Sequence, residues 1–212
     1  MPTVVTTLPS LSEQAERLIE LGVHDLAGLP AGRLRRVAEH PGSLLVIHPA
    51  LAPASVLAPL VRVNDKPGFV VTDMTDVDEF VPISSAAVPD SPLYVVNDLD
   101  RGDAMANWSP DEALPAITEV GRTPLTLTEA LHWLLQWPQT LQRGRCFMTI
   151  ASRRRKPDGS LDTRTPAVWI SNGTGRDGAA NRNAPKVGWC WAGNRHTWLG
   201  FASAGGRFTI GE

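Results

Sequence analysis

Cysteine is nearly missing: the 212 residues hold two, Cys146 and Cys190. Two are too few for a disulfide framework and too few for a zinc site built from cysteine alone. The opening MPTVVTTLPSLSEQ has no basic segment followed by an apolar one, so no signal peptide is expected there. Unbroken apolar runs of spanning length are missing too. Residues 44–61 carry no Asp, Glu, Lys or Arg, but Pro49, Pro53 and Pro59 interrupt them, and repeated prolines break a spanning helix. The expectation is a buried strand over Leu44–His48 that runs into an apolar, proline-punctuated connection, in a cytoplasmic protein with no membrane partner. No internal repeat and no low-complexity segment is present.

The bulk numbers are ordinary. Hydrophobic residues make up 42%, which excludes wholesale disorder. A chain of this length buries roughly 70% of its unfolded surface without staples, and a single domain over residues 1–212 is expected. Charge is not ordinary. Residues 1–140 carry 18 Asp/Glu and 8 Lys/Arg, a net of −10, while residues 141–212 carry 4 and 12, a net of +8; together they make the formal −2. An acidic body is thus followed by a basic part that also holds Trp169, Trp189, Trp191 and Trp198. Positive charge interleaved with aromatic rings marks a candidate binding surface.

Local signals predict an α+β fold. Ser10 and Glu13 form a capping box ahead of Leu11, Ala15, Leu18 and Ile19, and Gly22 stops that helix. A second helix is expected from Pro30 to before Pro41, with Leu34, Val37 and Ala38 inward. Short apolar runs at Leu44–Ile47, Gly68–Thr72 and Leu93–Val96 read as strands. Two capped helices follow, one opened by Ser109-Pro110-Asp111-Glu112 and ended by Gly121, the other opened by Thr126 and Glu129 and ended by Pro138. Beyond residue 144 the pattern alternates. It predicts an antiparallel sheet of two hairpins: Cys146–Ser152 with Thr165–Ser171 around Lys156–Gly159, and Val187–Ala192 with His196–Ala202 around Gly193-Asn194.

The second hairpin concentrates the candidate site. Opposite positions in it place Trp189 across from Trp198 and Trp191 across from His196, and alternation puts all four rings on one face. Cys190 and Arg195 fall on the other face, which argues against a Cys190–His196 nucleophile and base. The aromatic face has two readings, a core face or a partly open platform for a flat apolar ligand.

Other motifs lack part of what their chemistry needs. Gly173-Thr174-Gly175-Arg176-Asp177-Gly178 has the dinucleotide spacing, but neither a following helix nor a distant acid; a looser phosphate loop with Arg176, Arg182 and Lys186 stays open. Glu129 and His132 have metal-helix spacing without the second motif. Asp73, Asp98 and Asp100 could meet around a cation only if their strands were parallel neighbours. The run Arg153-Arg154-Arg155-Lys156 resembles a nucleic-acid contact, but it sits at a hairpin tip beside an acidic body, so nucleic acid is not expected.

From LIELGVHDLAGL through KPGFVVTD and SPDEALPAITEVGRTPLTLTEAL to APKVGWCWAGNRHTWLGFAS, the chain resembles a family of uncharacterised actinobacterial proteins, a domain of unknown function. The resemblance implies a shared fold and a cytoplasmic bacterial setting, and no reaction. This chain looks longer than the family around Lys156–Thr163 and Gly173–Asn183, where several basic residues lie.

Three functions follow as expectations. The first is binding of a small molecule or peptide by Trp189, Trp191 and Trp198, with Arg195 or Arg207 as rim charge. The second is an enzyme without organic cofactor in which His196 acts as general base. The third is a charge-driven interaction module, homo-oligomers included. No cofactor is expected.

Overall fold

A computed structural model describes residues 8–210; half of the segment read for a leader lies outside the described residues. Helix α1 is Leu11–Glu20. The Ser10 hydroxyl accepts from the Glu13 N–H at 3.3 Å and Glu13 accepts from the Ser10 N–H at 2.8 Å, while Gly22 (φ 70°) turns the chain out. The second expected helix is short, Ala31–Arg35; it buries Leu34 but leaves Ala38 exposed, and a helical turn at Val23–Leu26 precedes it. The other two capped helices form as the caps require: α2 is Pro110–Glu119 and α3 is Leu127–Gln136.

Strands β1 (Ser43–Ile47), β2 (Phe69–Val70), β3 (Leu93–Asn97), β4 (Cys146–Met148), β5 (Arg164–Ile170), β6 (Pro185–Trp191), β7 (Leu199–Phe201) and β8 (Gly206–Thr209) build two sheets. One has the order β1-β3-β8, antiparallel throughout, with Leu45 beside Val95 and Val95 beside Phe208. The other has the order β7-β4-β5-β6-β2. Its centre is antiparallel and both of its edge pairings are parallel. Among the described residues, no helix is long and apolar enough to cross a membrane. All five residues of β1 are buried.

The first expected hairpin is present. Met148 lies beside Ala167 and Phe147 beside Val168, and the Gly159 N–H closes the tip on the Lys156 carbonyl at 2.9 Å. The second is not. β6 pairs with β5 along seven residues, from Arg164↔Trp191 to Ile170↔Pro185, and with β2 on its other side. On that other side β2 pairs only with Lys186 and Val187, and among the described residues no strand returns along Gly188–Trp191. The chain turns at Trp191–Asn194, crosses to the far edge of the sheet, and enters β7 parallel to β4.

Helix α3 lies in the main core, with all ten of its residues buried, packed against β1, β5 and α1. Its Glu129 and His132 side chains are satisfied there, while the buried Trp133 indole N–H has no partner among the described residues. Glu129 takes a two-pronged contact from the Arg207 guanidinium (2.5 and 2.7 Å) and a hydrogen bond from the Tyr94 hydroxyl at 3.0 Å. His132 Nδ1–H donates to the Thr128 carbonyl at 2.9 Å, and Nε2 accepts from the Ile47 N–H at 3.2 Å. Burial pulls the imidazole pKa down to about 4, so the ring is neutral. The Glu129–His132 spacing therefore serves packing.

The charge split is resolved within the chain. Arg154 pairs with Asp76 and Glu79, Arg164 with Asp76, Arg176 with Asp73, Arg195 with Glu112, and Arg207 with Glu129. The Arg164 guanidinium holds the carboxyls of both Asp76 and Asp162 below the usual carboxylate range. Arg153, in the supposed nucleic-acid run, is buried and donates to the Asp162 carbonyl.

Candidate ligand cavity

Alternation along the strands gives the five-stranded sheet two different faces. Phe147, Val168 and Val187 face the main core, while Cys146, Met148, Ala167, Leu199 and Phe201 face α2 through Ala113 and Ile117. Helix α2 buries only Pro110, Ala113 and Ile117, so it covers part of that second face. Beside it lies a cavity of ≈ 450 Å³, walled by Trp169, Trp189, Trp198, His196, Cys146, Cys190, Ala167 and Leu199, with Arg145 and Asn172 also in the lining. That volume falls in the range of ~300–1,000 Å³ typical of small-molecule sites.

Backbone pairing sets the wall. One step beyond the Val168↔Phe147 pair, Trp169 stands beside Cys146. A Cβ on Gly188 would come within 2.6 Å of the Trp169 ring, so the indole lies across the sheet only because that neighbour is glycine. The Lys186 ammonium sits 4.3 Å from the Trp169 ring centroid and is itself paired with buried Asp177. Trp189 carries the Arg176 guanidinium at 4.9 Å and meets Trp191 edge-on at 4.6 Å. His196 stacks on Trp198 at 4.7 Å with an interplanar angle of 20°.

The segment between β6 and β7 is held from outside. The Asp111 N–H donates to the Ala192 carbonyl at 3.1 Å and the Asn107 N–H to the His196 carbonyl at 3.0 Å, while Arg195 pairs with Glu112. These bonds to the start of α2 swing His196 and Trp198 over the cavity. Trp198 is then anchored through its own carbonyl, which accepts from the Cys146 N–H at 3.0 Å.

Trp198 and His196 thus meet at the cavity by a different route from the expected hairpin, since they come from a crossing loop, while Trp189, also in the lining, alternates with Cys190 along β6 and packs against the main core. Trp191 stands outside the lining as an exposed prop for Trp189. Arg195 is a tether on α2. Arg207 is removed from the site altogether, buried against Glu129 at the far side of the main core. Cys190, placed on the opposite face by the expected hairpin, shares the cavity with His196. Burial pushes the Cys146 thiol up to about 12 and also raises Cys190, so both are neutral thiols. Among the described residues no hydrogen bond or ion pair engages the His196 ring.

Trp169 was missed, although the register of the first hairpin contains it. Arg145 and Asn172 carry no local signal and reach the cavity only through tertiary folding. The weak metal candidates separate: Asp73 pairs with Arg176, Asp98 with Arg122, and Asp100 accepts from the Gly102 N–H. β2 and β3, which were to bring Asp73 and Asp98 together, belong to different sheets. The Gly173–Gly178 segment opens only single 3-10 turns, Gly175–Asp177 and Ala179–Asn181, and wraps the Asp177–Lys186 pair, with the Ser171 hydroxyl donating to Asp177 at 2.7 Å. That leaves Lys186 unavailable to a phosphate.

A model of the DUF5701 family, a family of unknown function, matches residues 17–210, and the chain belongs to that family. No curated protein and no solved structure matches it.

Proposed function

We propose that this member of a family of unknown function binds a small, flat, largely apolar molecule in the cavity between Trp169 and Trp198. One observation carries the reading. Aromatic rings from separate stretches, Trp169 on β5 and Trp198 after β6, line one cavity, and Trp198 keeps 53% of its surface exposed. An indole has 150–250 Å² to bury, worth on the order of 4 kcal/mol at ~25 cal/mol per Å². A flat ligand slotted against Trp198 recovers part of that area, and the thiols, Asn172 and His196 supply hydrogen-bonding groups.

The rival readings find less support. A general base needs a group that orients its imidazole, and the His196 ring has no such partner among the described residues. A charge-driven docking module needs free charge, whereas Arg154, Arg164, Arg176, Arg195 and Arg207 pair with the chain's own acidic body.

Native mass spectrometry of protein freshly purified at low salt tests the proposal. The expected result is a reproducible small organic excess mass, lost in Trp198→Ala while circular dichroism is unchanged. A clean apo mass, together with failure of any flat aromatic probe to bind at millimolar concentration, overturns it.

A further inference from the structure

The cavity described above sets the ligand's shape; its lining also sets a charge. Among the described residues, Arg145 is the one fixed charge in the lining and no carboxylate lines the space. Arg145 is also weakly committed. Its closest described carboxylate is Asp103 at 3.6 Å, which Arg101 also approaches at 3.4 Å, and more than half of the Arg145 side chain is exposed. A guanidinium so placed has its fork of donors free for a planar anion.

The ring walls point the same way. A tryptophan face attracts cations through its negative quadrupole. Here Trp189 already carries Arg176 and Trp169 already carries Lys186. A cation on one face draws π density from the other, so these two rings make a poor cage for a cationic ligand and a good stacking surface for an electron-rich one. The remaining ionisable groups add no negative charge, because both thiols are neutral and the imidazole is neutral or positive.

We infer that the ligand is a flat aromatic carboxylate, or an anion of like shape, stacked between Trp169 and Trp198 with its charge at Arg145. The inference rests on the binding reading of the preceding subsection, and its test separates the two. Three probes share one ring system: 2-naphthoate, 2-naphthamide and the 2-naphthylmethylammonium cation. Their affinities for the full chain are measured by isothermal titration calorimetry, alongside Arg145→Gln and Trp198→Ala.

The expected order is naphthoate tightest, by roughly tenfold over the amide, as a charge-assisted contact in place of a neutral one implies, and the ammonium weakest. Arg145→Gln, a change at an exposed side chain, should bring naphthoate down to the amide and leave the amide unchanged. Trp198→Ala should weaken all three. Equal affinities in the wild type, a preference for the ammonium, or a naphthoate preference that survives Arg145→Gln overturns the charge assignment while the cavity reading stands. No binding by any probe, or binding untouched by Trp198→Ala, overturns both.

Discussion

The two faces of the five-stranded sheet are covered by helices of similar length and end up in different states. Against one face lies α3, ten residues long and buried throughout. Against the other lies α2, also ten residues long, with three buried. The first face closes completely, to the point of enclosing a charged pair and a histidine. The second closes only where Ala113 and Ile117 reach it, and the uncovered remainder is the aromatic cavity. A sheet covered on both sides still keeps a cavity when one covering helix is amphipathic and narrow.

That contrast can be broken most strongly on the closed side. Arg207→Ala leaves Glu129 as an uncompensated buried charge, and removing one partner of a buried pair typically costs about 3–5 kcal/mol. Urea denaturation of the variant should show a loss of that size; a loss near that of an ordinary surface substitution would mean the closed face tolerates solvent.

Acid should open the same face next. The folded state holds His132 neutral with a pKa of about 4, against an ordinary value of ~6.5. As pH falls below 6.5 the unfolded chain binds the proton first. The stabilisation is therefore full above pH 6.5 and is lost progressively toward pH 4, on the order of 3 kcal/mol in all at ~1.4 kcal/mol per pH unit. The Asp76 and Asp162 carboxyls, held low by Arg164, also lose stabilisation as they are protonated, so the histidine part is read by difference. Denaturation midpoints of His132→Asn should fall less steeply than wild type between pH 6.5 and 4. Parallel slopes would remove His132 as the cause.

The smallest effect belongs to the half-covered face. Arg195 and Glu112 form an exposed pair, and exposed pairs contribute little to stability. Arg195→Ala should leave the denaturation midpoint unchanged within error while altering probe binding in the cavity, because the tether that swings His196 and Trp198 into place is weakened. A stability loss comparable to that of Arg207→Ala would show the two faces to be energetically alike.

Local chemistry determined much of this molecule. Ser10, Ser109 and Thr126 with their partner glutamates place three helices, because a capping box satisfies backbone donors within four residues of sequence. Lys156–Gly159 places the first hairpin for the same reason: the turn and both strands are contiguous. The charge asymmetry was legible as well. The cavity lining was legible in part, since Trp189, Trp198 and His196 are among its residues, but not through the hairpin that was expected.

What only the tertiary structure decided is which strand edges are free. Gly193-Asn194 does make a turn, yet neither residue has positive φ, so it is not the primed type that returns a strand along its neighbour. The decisive contacts lie far away in sequence: the Asp111 and Asn107 N–H groups hold the Ala192 and His196 carbonyls, and β7 finds its partner in β4 at the far edge of the sheet. Those bonds carry the chain across the sheet and not back along β6. That crossing brings Cys190 to His196, opens the space beside Trp169, and sets Arg145 in its lining. The residue types of the cavity were written in the sequence; their meeting was set by hydrogen bonds to distant segments, which no local pattern records.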